Sequence, residues 1–318
     1  MVDGLAAVQL GMLLFDAEAV SAVDSPVPWK PAPPPGPVRL AASSVADTAL
    51  DQFRAARGAA ALGVSPARGV RLAQSTRRAA LRVAEDFIRP APPSYLNGAI
   101  GPRRTLVSAR LPVDRLHQAR SRAGASLNDV VLELVAGALH RLARLESHEP
   151  EDLRVMVPAS VRGGSSSADG NAIAFLLVDL PISLASPRDR LELIVARMRQ
   201  LKSGDSVAGS YALTELVAHL PGPLQARAAN FATSQRLYNL TVSNVPGPPL
   251  PLYAAGARVT DIQPVIPIPE RHALAVGAFS YDRHLTLSAY ADPEALPAVR
   301  RLPRMALNAL IDLEQAFA

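Results

Sequence analysis

The 318 residues include no cysteine. Disulfides, thiolate catalysis and cysteine-based metal centres are thereby excluded, and the redox compartment leaves no mark. Long hydrophobic runs are scarce too. The longest spans Ala172–Leu184 and is interrupted by Asp179 and Pro181. It is too short for a membrane-spanning helix and reads as a buried strand. No basic segment followed by an apolar one opens the chain, so there is no signal-peptide pattern. The excess of cations is small: 33 Lys and Arg against 28 Asp and Glu give a formal charge of +5. It comes without a dense Lys/Arg run interleaved with aromatics, so nucleic acid is not an expected partner. A phosphate-bearing cofactor or an anionic membrane surface stays compatible with the sign.

Common catalytic signatures are missing as well. There is no G-x-S-x-G elbow, no Walker A loop, no G-x-G-x-x-G and no H-E-x-x-H. The histidines, His117, His140, His148, His219, His272 and His284, form no ligand-spaced cluster. No metal site is expected, and each reads as a surface or helix-end residue. Asn239-Leu240-Thr241 matches a glycosylation triplet, but it falls in a predicted strand and is discounted.

What is present is globular: 49% of residues are hydrophobic and 19% charged. The stretch Ser126-Leu127-Asn128-Asp129-Val130-Val131-Leu132 opens the clearest element. Apolar residues at Leu127, Val130, Val131, Leu134, Val135, Ala138, Leu139 and Leu142 have helical spacing with one buried face. Ser126 and Asp129 have the spacing of a capping box, so Asn128 and Asp129 have a purely structural reading beside any functional one. Strands are predicted over 104–111, 153–157, 171–180, 240–243, 257–265, 273–281 and 285–291. Helices are predicted over 112–123, 187–202 and 296–317, with two more between 211 and 232 broken at Pro221-Gly222-Pro223. Residues 25–37 are proline-rich, contain the single tryptophan, Trp29, and read as an extended linker. The stretch 45–87 reads as two basic amphipathic helices. Pro246-Gly247 suits the central positions of a type II turn. Strands and helices without strict βαβ alternation indicate an α+β protein.

Three stretches carry a resemblance: Ser126–Leu132; Val157-Pro158-Ala159-Ser160-Val161-Arg162; and Thr241-Val242-Ser243-Asn244-Val245-Pro246-Gly247-Pro248, followed by Tyr253–Ala257. In this order, with the Trp29 linker and the Ser280-Tyr281…Ala291-Asp292 ending, the chain resembles the bacterial wax ester synthase/diacylglycerol acyltransferase family over essentially its whole length. The resemblance implies a chloramphenicol-acetyltransferase-like, CoA-dependent acyltransferase fold of two subdomains. The expected division is 1–165, the remainder of an N-terminal acyltransferase subdomain that would be incomplete, and 166–318, the C-terminal one. It implies transfer of an acyl group from acyl-CoA, a co-substrate rather than a bound cofactor, to diacylglycerol or a long-chain alcohol. The product would be triacylglycerol or wax ester. A cytoplasmic location follows, with room for peripheral association at the inner membrane face or with lipid droplets.

The family signature is H-H-x-x-x-D-G, whose second histidine acts as general base, a role that suits an imidazole titrating near neutrality. Asp3-Gly4 look like its end. The two histidines would stand three and two places before Met1, so the chain reads as beginning inside the motif. A non-catalytic homologue that binds lipid or acyl-CoA is therefore the alternative to an active enzyme. By resemblance, Asp3 and Gly4 are the motif remnant, and Asn128 and Asp129 match positions linked to activity. Arg162 is expected to pair with a carboxylate or meet CoA phosphate, against a solvated-loop reading. Ser243, Asn244, Pro246 and Gly247 are expected to line the substrate tunnel, with turn geometry the stronger explanation for the last two.

Overall fold

The computed structural model describes residues 89–160, 173–203 and 222–318, together with 11, 14–19, 31, 33–40, 43 and 46. Its centre is a six-stranded sheet of order β1-β8-β7-β4-β2-β3. The strands are β1 (Thr105–Pro112), β2 (Leu153–Ser160), β3 (Ile173–Leu180), β4 (Leu240–Pro246), β7 (Leu274–Tyr281) and β8 (His284–Ala291). A separate ribbon pairs β5 (Tyr253–Ala254) with β6 (Ala257–Arg258). The sheet is mixed. β2, β4 and β7 run parallel to their neighbours in that trio, whereas β1–β8, β7–β8 and β2–β3 are antiparallel. Strands from both expected segments share it: β1 and β2 come from 1–165, and β3, β4, β7 and β8 from 166–318. The division itself, at 165/166, falls among residues outside those described.

One face of the sheet is covered by helices: α1 (Val113–Ala123), α2 (Leu127–Leu145), α3 (Pro187–Ser203) and α5 (Leu302–Ala316), the last led in by a 3-10 turn at Pro297–Arg301. A further helix, α4 (Gly222–Ala232), precedes β4. Period-2 alternation puts Val155, Leu240, Val242, Leu274, Val276, Leu285 and Leu287 on the helix side. There they join Val130, Leu134, Leu139, Ala309 and Leu310 in one continuous core. This is why α2 is the longest and most buried helix: both flanks pack against other helices and its inner face against the sheet.

α2 also buries charge. Glu133 and Arg190 of α3 are both fully buried, and the Arg190 guanidinium donates to Glu133 Oε1 from Nη2 at 2.8 Å and from Nε at 3.2 Å. Nη1 donates to the carbonyls of Leu184 and Ala185, so the cation is fully committed. Burial pushes the Glu133 carboxyl up to about 7, against the opposing pull of the Arg190 and Arg141 cations. Gly137 makes the pair possible. A Cβ there would lie 3.0 Å from both Ala309 Cβ and Arg190 Nη2.

The opposite face is floored by small and polar side chains, among them Thr241, Gly277, Thr286 and Ser288. A proline-rich strap, 248–270, lies over it. Pro264 and Ile266 press on Gly277, where a Cβ would come within 3.0 Å of Pro264 Cβ. Leu252, Phe279 and Tyr281 form a second small core with Val245, Val259 and Ile262. The Tyr281 hydroxyl pins the strap, accepting from the Leu252 amide at 2.8 Å and donating to the Val259 carbonyl at 2.9 Å.

The strand expected over 257–265 is a correction. Only Ala257–Arg258 is strand, and 259–269 has no regular structure. Its apolar residues Val259 and Ile262 pack on the second core rather than pairing in a ladder. Asn239 is 1% exposed, which agrees with setting its triplet aside. Its amide accepts from the Arg154 N–H at 2.7 Å and donates to Pro92 O and Asn97 Oδ1, each at 2.8 Å. Among the described residues no helix is long and apolar enough to cross a membrane.

Candidate active site

The parallel trio β2, β4 and β7 gives the sheet a carboxyl edge, where these strands end at Ser160, Pro246 and Tyr281. In sheets with parallel strands, this edge is the usual place for ligands. The start of α2 lies toward the same edge. Near the other end of the helix, His140 Nδ1 meets the Ile182 carbonyl at 2.7 Å, just past β3. The end of β3 pairs with the start of β2, Leu180 with Leu153. α2 therefore runs opposite to β2, and its start, with Asn128 and Asp129, points toward the carboxyl edge.

Local chemistry fixes the helix start. Ser126 Oγ accepts from the Asp129 N–H at 3.2 Å, and Asp129 Oδ2 accepts from the Ser126 N–H at 2.8 Å and its hydroxyl at 2.6 Å. The capping box is complete. One carboxylate oxygen of Asp129 is thus occupied by the cap. The other, Oδ1, is buried and makes no hydrogen bond. Asn128 is different: it is half-buried, and its amide makes no hydrogen bond among the described residues.

At the end of β4, Ser243 and Asn244 are also half-buried, and their side chains make no hydrogen bond among the described residues. Alternation along the strand puts Asn244 on the helix side with Leu240 and Val242, and Ser243 on the strap side. Asn128 and Asp129 thus begin α2 toward this edge, with Asn244 on the helix side of β4 and Ser243 on its strap side. No hydrogen bond or ion pair links the two groups among the described residues. Asp3, Gly4 and Arg162 lie outside the described residues.

The expected turn at Pro246-Gly247 is not formed. Pro246 still belongs to β4, paired with Ser280 of β7. A type II turn needs positive φ at its glycine, and Gly247 is not among the described glycines with positive φ, which are Gly124 and Gly256. The glycine is required by proximity instead. Its amide donates to Ser280 Oγ at 3.1 Å. A Cβ would fall 2.2 Å from the Ser280 carbonyl oxygen and 2.4 Å from the Phe279 ring. Ser280 and Phe279 are the parts of this edge that sequence reasoning did not assign. Ser280 belongs to the Ser280-Tyr281 part of the resemblance, which gives it no role.

The described histidines are mostly engaged elsewhere. His272 is fully buried, with Nδ1 3.0 Å from the Glu270 carbonyl and Nε2 3.1 Å from that of Tyr238. His148 stacks on Tyr95 at 4.5 Å between ring centroids, and His284 Nδ1 lies 3.4 Å from Arg110 Nη2. Among the described residues no group of three or more acidic, His or Cys side chains is placed to hold a metal ion. What the edge offers is a set of neutral amide and hydroxyl groups with unspent hydrogen-bonding capacity, above a tight strand-to-strand contact at Gly247.

This mixed sheet with its helical layer is the architecture of the CoA-dependent acyltransferases. The wax ester synthase/diacylglycerol acyltransferase from Marinobacter aquaeolei VT8 superposes with a TM-score of 0.57 at 24% identity, over 76% of this chain and 56% of that one. The family's sequence models place the chain more narrowly. The wax ester synthase/diacylglycerol acyltransferase catalytic domain matches residues 1–131, and the WS/DGAT C-terminal domain matches residues 169–314. A putative diacylglycerol O-acyltransferase of Mycobacterium tuberculosis is 34% identical over 236 residues, 71% of this chain and 51% of the relative. One from Mycobacterium bovis is 29% identical over 232 residues, 71% and 50% respectively. The chain belongs to the wax ester synthase/diacylglycerol acyltransferase family. It spans about half the length of the curated relatives it matches.

Proposed function

We propose that this chain is part or all of an acyl-CoA-dependent O-acyltransferase that esterifies diacylglycerol or a long-chain alcohol. The reading is supported by family matches in both halves of the chain. The observation that carries it is the unspent Asn128 amide at the sheet's carboxyl edge. A helix start needs only Ser126 and Asp129, and both are already used in the cap. Asn128 adds nothing to that cap, so its half-buried amide is available to substrate.

In this reading the acceptor hydroxyl loses its proton to the signature histidine as it attacks the thioester carbonyl of acyl-CoA. Coenzyme A leaves as the thiol. Asn128 and Asn244 donate hydrogen bonds on the helix side, where the carbonyl oxygen gains negative charge. The two subdomains, 1–165 and 166–318, contribute α2 and β4 respectively to that edge. Asp3 and Gly4 orient the histidine loop, Asp129 holds the start of α2, and Arg162 meets the CoA phosphate. Ser243 lines the strap side of the tunnel, and Pro246 and Gly247 set its wall. Work at a membrane face or lipid droplet suits water-insoluble acceptors and products.

The test compares this chain with a version extended upstream to carry the His-His pair. Coenzyme A release is followed from palmitoyl-CoA with diacylglycerol or hexadecanol. The extended protein is expected to turn over at least one acceptor. Asn128→Ala in it should lower kcat by about a hundred- to a thousandfold, the range expected for one lost transition-state donor. The melting temperature should be unchanged, whereas Ser126→Ala, which removes the cap, should cost about 1 kcal/mol of stability. No turnover by the extended protein with either acceptor defeats the enzymatic reading and leaves that of a lipid- or acyl-CoA-binding homologue. Full activity in Asn128→Ala removes the role given to that residue.

A further inference from the structure

Acyl transfer at the sheet edge leaves one charged feature unused: a cleft between the second half of α2 and the start of α5. It has a volume of about 510 Å³ and is lined by Arg141, Arg300, Arg301, Arg304, Met305 and Asn308. Arg141 is its fixed floor. It is half-buried, donates to the Gly137 carbonyl at 3.2 Å and pairs with Asp312. Arg300, Arg301 and Arg304 are exposed, and their side chains make no hydrogen bond or ion pair among the described residues. The nearby carboxylates are committed: Asp312 to Arg141, and Glu146 to the Ala298 amide at 2.7 Å.

Three unpaired guanidinium groups around one cleft repel one another. Their placement along the helix is unfavourable too. The helical rod begins at Pro297, so these cations ride its first turns, where the macrodipole is positive. Its acidic residues, Asp312 and Glu314, sit in the second half of α5, and the first turn of that helix holds none. The charges therefore run against the dipole. A bound anion removes the repulsion. Guanidinium forks match phosphate oxygens in pairs, which makes arginine clusters selective for phosphate groups over simple halide ions. Asn308 adds a neutral amide and Met305 an apolar wall, and the cleft has room for more than a bare phosphate.

We infer that this cleft binds a phosphate-bearing anion, a phosphomonoester or diphosphate carried by a soluble ester or by a lipid headgroup. It is separate from the proposed active edge. Arg141 stands about 20 Å along α2 from Asn128 at the helical rise. The inference does not depend on acyl transfer.

The experiment is binding by the full chain, read without reference to activity. Pyrophosphate is titrated calorimetrically at fixed ionic strength. Co-sedimentation is measured in parallel with phosphatidylcholine vesicles containing phosphatidate, and with phosphatidylcholine alone. The double variant Arg300→Gln/Arg304→Gln touches only exposed side chains, and Arg120→Gln/Arg122→Gln on α1 removes the same charge elsewhere. Binding is expected to weaken at least about tenfold in the first variant and to change little in the second, the scale of losing charge-assisted hydrogen bonds. Loss in the pyrophosphate arm identifies a soluble phosphate ester as the source. Loss confined to the phosphatidate vesicles identifies a headgroup. Absence of binding in both arms, or equal loss in the two double variants, overturns the site.

Discussion

His272 shows how a single buried side chain sets a pH response. Both ring nitrogens face backbone carbonyls, Glu270 at 3.0 Å and Tyr238 at 3.1 Å, and the ring lies 4.7 Å from that of Tyr238. A neutral imidazole has one N–H, so only one of these contacts is a hydrogen bond at a time. Burial pushes its pKa below 6.5, outweighing the two carbonyls, which favour the charged form. The sign of the linkage follows. Between the lowered folded value and 6.5 the unfolded chain binds the proton more readily, so stability rises with pH there. The neutral ring's contribution is complete above 6.5 and is lost as pH falls through the folded value. Denaturant midpoints taken from pH 7.5 down to about 5 should therefore fall faster in the parent than in His272→Gln, which cannot titrate. Parallel pH profiles for the two would refute this account.

At the scale of elements, the end of β4 carries the sharpest consequence. Gly247 touches β7 so closely that a methyl group would sit 2.2 Å from the Ser280 carbonyl and 2.5 Å from Phe279 Cζ. Backbone cannot rotate aside as a flexible side chain does, so β4 and β7 must part. Gly247→Ala is expected to cost about 1–3 kcal/mol, read as a lower urea midpoint. Gly98→Ala, with open space around its Cβ position, should stay near the parent. An unchanged midpoint in Gly247→Ala would show that the strand end yields freely. The sequence had signalled a special glycine here but not its cause, because turn chemistry and close approach both select glycine. The same limit explains the strap. Val259 and Ile262 are β-branched as strand residues often are, but the second core and two hydrogen bonds at Tyr281 hold this stretch, not a ladder. Pro264 inside this stretch argues against a ladder, since proline removes an amide donor. Where periodicity and capping agreed, as in α2, the start at Leu127 and the capping box were both legible. The Glu133–Arg190 pair was not. Its only trace was a carboxylate inside an apolar run, and its partner lies 57 residues away.

Across the whole molecule, the sheet joins strands from the two segments expected from the sequence, 1–165 and 166–318. β2 pairs with β3 over the full length of both strands, from Leu153–Leu180 to Ser160–Ile173, and with β4 at Val155 and Met156. Arg154 of the first segment, itself nearly buried, pairs with the partly exposed Asp179 of the second at 2.8 Å, and Asn239 joins the Arg154 backbone in both directions. The helical layer crosses the same division, with α2 packed on α3 and α5. A fragment of residues 166–318 would expose the edges of β3 and β4, and the core faces of Val178, Leu240 and Val242 would lose α2. Unpaired edges and bared apolar surface favour association over folding. The isolated fragment is therefore expected to lack a cooperative melt and to bind a hydrophobic dye, while co-expression with residues 1–165 restores a single transition. A sharp, reversible melt of 166–318 alone would show that the segment folds independently. The shared sheet would then be a docking contact between two domains rather than their common core.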